Sequence, residues 1–319
     1  MTNLPLPALV LTAGLGTRLR PLTDLVAKPA LPVAGKPLAS RILESLARQG
    51  VTDAVLNLSH LPSTITGIVG DGSQFGLRVR YSWEQPVLGS AGGPRHALPI
   101  LGAPRFLIVN GDTLTDVSLR EVASAHAASG AAVTMALVPH PAPDRYGGVR
   151  VADDGRVLRF SGRTERAAIL DGGHARLGEL WHFIGVQVVE AWVFADLPDN
   201  EPAESIGGVY RELVTAGKVR AYRSNAKFRD IGRPQEYLET TLAVARDEGA
   251  SRDVVVERGG EVEDGATLDR VIVWDRSRVP ADARLTNCVV AGATVPAGTV
   301  AKNCCIVPAE SGSALVPFP

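Results

Sequence analysis

Short apolar segments with the length of buried strands alternate with apolar residues at helical spacing between residues 8 and 138. The spacing of Leu38, Ile42 and Leu46 predicts a helix, and Gly50 is typical of a helix end. Strands that alternate with helices favour a mostly parallel sheet with helices on both faces. We therefore predict a doubly wound α/β domain. The predicted strands of its first part cover residues 9–11, 53–58, 106–110 and 131–138.

The second part of this domain has a less regular pattern. Apolar runs on both sides of Gly155 predict a hairpin over residues 149–160. Further along the chain, the pattern predicts a strand at residues 184–189, a helix at 206–216 and a last helix from Pro234 to about Glu248.

The pattern changes again near the C-terminus. Turn segments begin at Val262, Val279 and Val295, a nearly constant interval, and a short apolar stretch follows each. Repetition at this period predicts stacked β-coils, with an irregular β tail as the alternative. We predict two domains, an α/β domain at residues 1–248 and a coil domain at 249–319. A stack this short is expected to pack on the first domain or on another subunit.

Composition and charge exclude several classes of protein. The chain carries 33 basic and 34 acidic side chains and has no basic block, which argues against a nucleic-acid scaffold. No apolar run approaches the roughly 20 residues of a membrane span, and the N-terminus lacks the pattern of a secretory signal. Cys288, Cys304 and Cys305 show neither disulfide nor zinc spacing, so we expect reduced thiols in a cytoplasmic protein.

The candidate chemistry is densest at residues 8–38, where an apolar strand opens into a glycine-rich turn. Gly14 and Gly16 allow an anion to approach backbone N–H groups closely. Arg18 adds a bidentate fork for phosphate oxygens, and Lys28 adds a point charge. The stretch is suited to bind a polyphosphate. It lacks both the third glycine of a dinucleotide fingerprint and the Gly-Lys-Ser/Thr ending of a P-loop.

A carboxylate is expected at the same edge of the sheet. Asp112 directly follows the predicted strand at residues 106–110. Ligands of open α/β sheets bind at the carboxyl ends of the strands, and a carboxylate there is a natural magnesium ligand. A helix cap is the structural alternative for Asp112.

Residues 8–38 as a whole resemble the signature of the sugar-1-phosphate nucleotidylyltransferases, also called NDP-sugar pyrophosphorylases. The resemblance extends to residues 84–93, 106–112 and 228–234, whereas Ala27 departs from it where the family usually has proline. It implies a Rossmann-like nucleotidyltransferase domain and a short C-terminal left-handed β-helix. It also implies an enzyme that joins a nucleoside triphosphate to a sugar 1-phosphate and releases pyrophosphate.

The resemblance assigns roles to individual residues. It implies that Arg18 binds the leaving pyrophosphate, that Lys28 contacts the α-phosphate and the sugar phosphate, and that Asp112 and Asp230 hold Mg²⁺. For Lys36, which falls on a family lysine, a structural salt bridge is an equal alternative. The implied nucleotide-binding residues are Ala13, Gly14, Gly16, Thr17, Gln85, Gly89 and Ser90. The implied sugar-binding residues are Asn110, Gly147, Arg163 and Gly185.

The sugar site departs most from the family pattern. After Phe160, most members have Glu-Lys-Pro, whereas this chain has Ser161, Gly162, Arg163 and Thr164, and Arg163 is a candidate to replace the lysine. Residues 84–93 resemble both mannose-1-phosphate guanylyltransferases and N-acetylmuramate-1-phosphate uridylyltransferases.

Our expected substrates are GTP and mannose 1-phosphate. Uridylyl or thymidylyl transfer to another sugar 1-phosphate is one alternative. A non-catalytic paralogue that binds a sugar nucleotide is another, although such a protein would not need the complete set of cations and carboxylates. We expect a homo-oligomer that binds neither nucleic acid nor membrane.

Overall fold

The computed structural model describes residues 3–142, 147–162 and 178–319, which form two spatial units. Unit 1 contains the described parts of Met1–Gly14, Ile42–Ser59 and Gly70–Phe228. Unit 2 contains Leu15–Arg41, His60–Val69 and Arg229–Pro319. These units are not consecutive stretches of chain, because N-terminal segments belong to the same unit as the C-terminus. The domain boundary between residues 248 and 249 is a different division and stays a prediction.

The regular elements are numbered in chain order. The described strands are β1 (Ala8–Leu11), β2 (Pro32–Val33), β3 (Lys36–Pro37), β4 (Asp53–Leu58), β5 (Arg78–Trp83), β6 (Arg105–Asn110), β7 (Thr113–Thr115), β8 (Val133–Pro139), β9 (Gly148–Val151), β10 (Val157–Ser161), β11 (Glu179–Glu190), β12 (Val219–Arg223), β13 (Phe228–Asp230), β14 (Val254–Val256), β15 (Glu261–Val262), β16 (Thr267–Val273), β17 (Arg278–Val279), β18 (Arg284–Val290), β19 (Val300–Ala309) and β20 (Gly312–Pro317). The described α-helices are α1 (Leu22–Leu25), α2 (Leu38–Arg48), α3 (Pro62–Val69), α4 (Gly89–Leu101), α5 (Leu119–Ser129), α6 (Trp192–Ala195), α7 (Tyr210–Thr215) and α8 (Pro234–Asp247).

The central sheet of unit 1 confirms the prediction of an α/β fold with a largely parallel core. Its strand order is β10-β9-β11-β6-β1-β4-β5, and β8 pairs with β11 and β12. Strands β6, β1, β4 and β5 run parallel to one another. The long strand β11 runs antiparallel to β6, β8 and β9, which the sequence pattern did not indicate. Helix α4 packs against β1, β4 and β5, and α5 packs against β8, β11 and β12.

The core of unit 1 explains the continuous apolar runs in its parallel strands. Leu9, Val55 and Ile108 are almost completely buried. Strands covered on both faces need apolar residues at successive positions rather than at alternate ones. Phe106 and Phe194 meet in the same core with their ring centroids 6.2 Å apart.

The C-terminal part of unit 2 is a stack of parallel strands. Val254 pairs with Val271, Val271 with Cys288, and Cys288 with Cys304, so the offset between paired residues is nearly constant along the stack. Strand β20 closes the sheet by pairing antiparallel with β19. The predicted period thus reappears as the offset between paired strands. The left-handed sense of the stack stays a prediction.

A ladder of side chains marks one corner of this stack. Arg270, Asn287 and Asn303 occupy equivalent places in successive strands, with φ of +54°, +52° and +53°. Arg270 Nε donates to Asn287 Oδ1 at 2.8 Å, and Asn287 Nδ2 donates to Asn303 Oδ1 at 3.0 Å. Asparagine tolerates the left-handed region better than most residues. The ladder therefore satisfies both the backbone geometry and the polar groups at the corner.

Helix α8 packs against β14, β16 and β18 of the stack, which matches the expectation that the coils need a covering neighbour. Its start at Pro234 and its end at Asp247 agree closely with the predicted last helix.

Among the described residues, no helix combines the length and the apolar character of a membrane-spanning segment.

We expect Asn287→Val to reduce the free energy of unfolding by about 2–4 kcal/mol, because a β-branched residue is strained at positive φ and the ladder loses its hydrogen bonds. Asn287→Gly should cost only about 1 kcal/mol, since glycine accepts this φ and only the hydrogen bonds are lost. Chemical denaturation measures both values. As a control, Thr286→Val at the adjacent position should change stability by less than about 0.5 kcal/mol. Equal losses at positions 286 and 287 would contradict this account of the ladder.

Candidate functional site

The glycine-rich turn is fixed at its base by Asn57 of β4. The Oδ1 atom of Asn57 accepts hydrogen bonds from the backbone N–H groups of Thr12 at 2.6 Å and Ala13 at 3.3 Å. The hydroxyl of Thr12 donates to the backbone carbonyl of Asn57. The Nδ2 atom of Asn57 donates to Glu84 Oε1 at 2.7 Å. Asn57, Thr12 and Glu84 are each at most 3% exposed, so the network is shielded from water.

Glu84 connects this turn to the segment that follows β5. Its second oxygen accepts the backbone N–H of Leu88 at 2.9 Å, just before α4 begins. Buried carboxylates persist only where hydrogen bonds compensate for lost hydration. The network therefore fixes the spacing between two predicted nucleotide-binding segments. Sequence reasoning missed Asn57, although a polar residue within the apolar run of β4 was a detectable signal.

Gly89 and Gly92 at the start of α4 pack against the chain itself. A Cβ at Gly89 would lie 2.8 Å from the carbonyl oxygen of Ala203, and one at Gly92 would lie 2.4 Å from that of Glu201. The space beside both glycines is therefore filled by this neighbouring segment. Nucleotide binding by Gly89 stays a prediction.

Ser90 connects the same segment through hydrogen bonds. Its hydroxyl donates to Glu204 Oε2 at 2.6 Å and accepts the backbone N–H of Ser205 at 2.9 Å. The N-terminal turn of α4 is thus anchored by polar contacts as well as by close packing. These contacts do not test the nucleotide-binding role that we predict for Ser90.

The two glycines of the turn have different surroundings. No described atom lies within 4 Å of the place where a Cβ of Gly14 would stand, and its φ is outside the left-handed region. Gly16 has φ +63°, and a Cβ there would be 2.8 Å from Thr23 Cγ2 and 3.4 Å from Lys28 Cβ. Gly16 is therefore required by the fold, whereas Gly14 leaves open space at the surface of the turn.

Lys28 lies close to Gly16, in a loop of unit 2 that several hydrogen bonds hold in place. The Thr23 hydroxyl donates to the carbonyl oxygen of Gly16 at 2.9 Å, and His60 Nε2 donates to that of Thr23 at 2.8 Å. The backbone N–H of Ala27, beside Lys28, donates to the hydroxyl of Thr64 at 3.1 Å. These hydrogen bonds restrict the positions that the Lys28 ammonium group can reach.

The side chains of Arg18 and Asp230 both approach Gly232 in unit 2. A Cβ at Gly232 would lie 3.6 Å from both Arg18 Nη1 and Asp230 Oδ2. Glu236 Oε2, in the first turn of α8, accepts the backbone N–H of Gly232 at 2.8 Å. Asp230 itself lies in β13 and is not the cap residue. The structure therefore brings together a predicted phosphate-binding cation and a predicted metal ligand.

Asp112 lies in unit 1, directly after β6 and the tightly packed Gly111. The backbone N–H of Gly111 donates to the carbonyl of Leu11 at 3.0 Å, and a Cβ would lie 2.4 Å from that oxygen. Gly111 thus fixes the end of β6 against the end of β1. The Thr113 hydroxyl donates to Asp112 Oδ1 at 3.2 Å. The predicted carboxylate is placed at the carboxyl edge of the sheet, as expected.

Two predicted sugar-binding residues are adjacent. Gly185 has φ +75°, and a Cβ there would be 2.6 Å from the Asn110 side chain. Gly147 lies near His140, whose Nε2 donates to the Gly147 carbonyl at 3.1 Å. Arg163 lies outside the described residues.

An imidazole and aromatic cluster lies beside Gly147. The rings of His140 and His182 have centroids 5.4 Å apart, and those of His182 and Phe228 are 4.8 Å apart. Burial, with a smaller contribution from nearby His140, lowers the pKa of His182 from 6.5 to about 4. His182 is therefore neutral near pH 7. The cluster places flat rings, including the neutral imidazole of His182, beside a predicted sugar-binding residue.

The predicted site residues divide between the two units. Those in unit 1 are Ala13, Gly14, Gln85, Gly89, Ser90, Asn110, Asp112, Gly147 and Gly185. Those in unit 2 are Gly16, Thr17, Arg18, Lys28 and Asp230.

The described residues contain no cluster of three or more His, Cys, Asp or Glu side chains arranged to hold a metal. This finding does not conflict with a magnesium site. Magnesium keeps several waters and commonly uses one or two carboxylates together with substrate phosphates. The donor type of Asp112 and Asp230 fits that preference.

Comparisons with known proteins agree with the resemblance. A family model described as nucleotidyl transferase matches residues 7–247. The chain is 29% identical over 301 residues to a mannose-1-phosphate guanylyltransferase of Mycobacterium tuberculosis, and the match covers 86% of this chain and 81% of that protein. It is 49% identical over 111 residues to an N-acetylmuramate alpha-1-phosphate uridylyltransferase of Neisseria meningitidis, 34% of this chain and 48% of that protein.

A solved structure shares the fold. HddC from Yersinia pseudotuberculosis superimposes with a TM-score of 0.61 at 22% identity, and the match covers 75% of this chain and 99% of that chain.

We expect Gly14→Ala to leave the unfolding temperature unchanged and to weaken nucleoside triphosphate binding at least about tenfold. The added methyl group meets open space in the protein but blocks the close approach of a phosphate to the backbone. Thermal unfolding and calorimetric titration measure the two effects. The contrasting variant Gly16→Ala should lose stability, because its Cβ would clash with Thr23. Wild-type affinity in Gly14→Ala would contradict the role of the open turn.

Proposed function

Because this chain belongs to the nucleotidyl transferase family of enzymes, we propose that it is a sugar-1-phosphate nucleotidylyltransferase. In this reaction an oxygen of the sugar phosphate attacks the α-phosphorus of a nucleoside triphosphate. The bond from that phosphorus to the bridging oxygen of the β-phosphate breaks, and pyrophosphate leaves. The attacking oxygen is already ionised, so the reaction needs no general base.

The observation that best supports this proposal is that Arg18 and Asp230 both approach Gly232. These residues are far apart in sequence, and a cation beside a carboxylate suits a metal-bound polyphosphate. Lys28 is held on the same loop, beside Gly16. The arrangement supplies fixed charge near the phosphates, which is the main requirement of phosphoryl-type transfer.

The cations have separate roles in this proposal. Arg18 binds the β- and γ-phosphates through its fork and stabilises the negative charge that develops on pyrophosphate. Lys28 neutralises the repulsion between the α-phosphate and the incoming sugar phosphate. The turn from Gly14 onward contributes backbone N–H groups, while Asn57 Oδ1 accepts the N–H groups of Thr12 and Ala13 at its base.

Magnesium is the proposed cofactor, with Asp112 and Asp230 as its protein ligands. Bound Mg²⁺ would neutralise phosphate charge and orient the triphosphate. The two aspartates would be held ready for it by the end of β6 and by the turn at Gly232.

The proposed substrates are GTP and mannose 1-phosphate. The support is the mycobacterial relative, whose similarity extends over most of both chains. A second candidate is uridylyl transfer to N-acetylmuramate 1-phosphate, which the shorter but closer match to the meningococcal relative favours. That match covers less than half of the relative, so it supports only a second place.

Other expectations also remain proposals. These are the left-handed sense of the C-terminal stack, a homo-oligomeric assembly, a cytoplasmic location, and the sugar contacts of Asn110, Gly147, Arg163 and Gly185. The complete set of Arg18, Lys28, Asp112 and Asp230 argues against a binding-only paralogue.

Pyrophosphate release over a grid of nucleoside triphosphates and sugar 1-phosphates tests the function. With Mg²⁺ present, we expect the highest kcat/KM for GTP with mannose 1-phosphate. The highest value for UTP with N-acetylmuramate 1-phosphate would select the second candidate. Absence of release for every pair would overturn the proposed activity.

Lys28→Ala and Asp112→Ala should each lower kcat about 100-fold or more, on the order of 3 kcal/mol of transition-state stabilisation. Circular dichroism and thermal unfolding should show an intact fold. Matched controls are Lys302→Ala and Asp264→Ala, because both side chains are exposed on the C-terminal stack. Turnover near the wild-type value in either test variant would remove that residue from its proposed role.

A further inference from the structure

The β2–β3 hairpin of unit 2 lies between two lysines of the phosphate-binding stretch. Lys28 precedes it by a single 3₁₀ turn, and Lys36 lies on its second strand. Its turn residues Ala34 and Gly35 have φ of +48° and +82°, as in a two-residue type I′ turn. Such a small hairpin is not stable by itself. Its position must therefore be fixed by contacts from other elements.

Arg41 provides the first of these contacts. Its Nε donates to the carbonyl oxygen of Val33 and its Nη2 to that of Ala34, both at 2.7 Å. Glu248, just after α8, accepts from Arg41 Nη1 at 2.6 Å. Arg41 in turn holds the pKa of Glu248 below its usual range. The carbonyl side of the turn is thus bound through a charged pair.

Tyr237 and Trp274 provide the second contact. The Tyr237 hydroxyl donates to the carbonyl of Pro32 at the start of the hairpin. Trp274, directly after β16, donates its indole N–H to the Tyr237 oxygen at 2.8 Å. Both side chains are buried and pack edge to face. A residue of the C-terminal stack therefore orients the phenol that holds Pro32.

Glu257 provides the third contact and comes from the stack itself. It follows β14, and its backbone N–H donates to the carbonyl of Val273 at 2.8 Å. Its Oε1 accepts the N–H of Gly35 at 3.0 Å. Glu257 is only 8% exposed, and burial raises the pKa of its carboxyl group, with Arg41 opposing the shift. A carboxylate in this place costs desolvation free energy that an apolar residue would not.

The position of the hairpin helps to fix the position of Lys28. The backbone N–H of Leu31 donates to the carbonyl of Lys28 at 3.2 Å, and the N–H of Leu38 donates to that of Leu31 at 2.9 Å. The two ends of the hairpin are therefore hydrogen-bonded to each other and to the turn that starts at Lys28. A displaced hairpin would move the lysine.

We propose that Glu257 is a positioning residue for catalysis, through which the C-terminal stack holds the hairpin and Lys28 in their active geometry. This inference rests on the proposed function, in which Lys28 contacts the reacting phosphates. A displacement of about 1 Å of a catalytic group can lower the rate about 100-fold. Loss of the hydrogen bond between Gly35 and Glu257 is therefore expected to lower kcat measurably.

The test compares Glu257→Ala with Glu257→Gln. The alanine variant loses the acceptor, and we expect kcat to fall about 10-fold to 100-fold while KM for both substrates changes less than about threefold. The glutamine variant keeps an acceptor oxygen for Gly35 and should recover kcat to within about threefold of wild type. The control is Glu310→Gln, since Glu310 is exposed at the far end of the stack. Glu257→Leu replaces the alanine variant if that variant folds poorly, because it keeps the buried space filled.

Hydrogen exchange of the Gly35 amide supplies a readout that does not require activity. It should be faster in Glu257→Ala than in the wild type and the Glu310→Gln control. Unchanged kcat and unchanged exchange in Glu257→Ala would overturn the proposal, as would a loss of activity that only parallels loss of folded protein. If wild-type enzyme releases no pyrophosphate from any substrate pair, the proposed function fails. The exchange comparison then still decides whether Glu257 holds the hairpin.

Discussion

An irregular loop that binds phosphate must leave some backbone N–H groups available while satisfying its other main-chain groups. Buried main-chain donors and acceptors that lack a partner are costly. In this protein, side chains from other elements bind the stretch between β1 and α2. Asn57 binds its first residues, Thr64 binds Ala27, and Arg41 and Glu257 bind the hairpin turn. The loop keeps a defined shape because its main-chain groups are bound from outside.

The sequence pattern predicted the elements whose burial is uniform. Strand β4 has the predicted bounds, and β6 starts only slightly earlier than expected. Strand β11 extends well before the predicted strand at residues 184–189, because its first half carries polar and aromatic residues without a clear period. Helix α4 was not predicted, since its glycines and prolines are atypical of a helix interior. Tertiary packing, rather than local sequence preference, determines the length of β11 and the presence of α4.

Sequence reasoning proposed the charged residues of the candidate site but did not predict the residues that hold them. Arg18, Lys28 and Asp230 stand out because their types and spacing resemble a family motif. Asn57 and Glu257 bind backbone groups that are distant in the sequence, so no local pattern identifies their partners, and only the polar side chain within β4 marks Asn57 itself. Glycines pose a similar difficulty. Gly14 faces open space while Gly89 makes room for another part of the chain, a distinction that spacing alone does not make.

Unit 2 is built from segments that are far apart in the sequence, and this has a consequence for synthesis on the ribosome. Residues 15–41 emerge well before the side chains of Glu257 and Trp274 that fix them, which belong to the C-terminal stack. At a translation rate of about 5–20 residues per second, the nascent hairpin waits roughly 10–50 seconds for these ties. The sheet of unit 1 is complete in sequence before then. Residues 15–41, with the proposed phosphate-binding side chains of Arg18 and Lys28, therefore acquire their final shape only after the strands of that sheet have been synthesised.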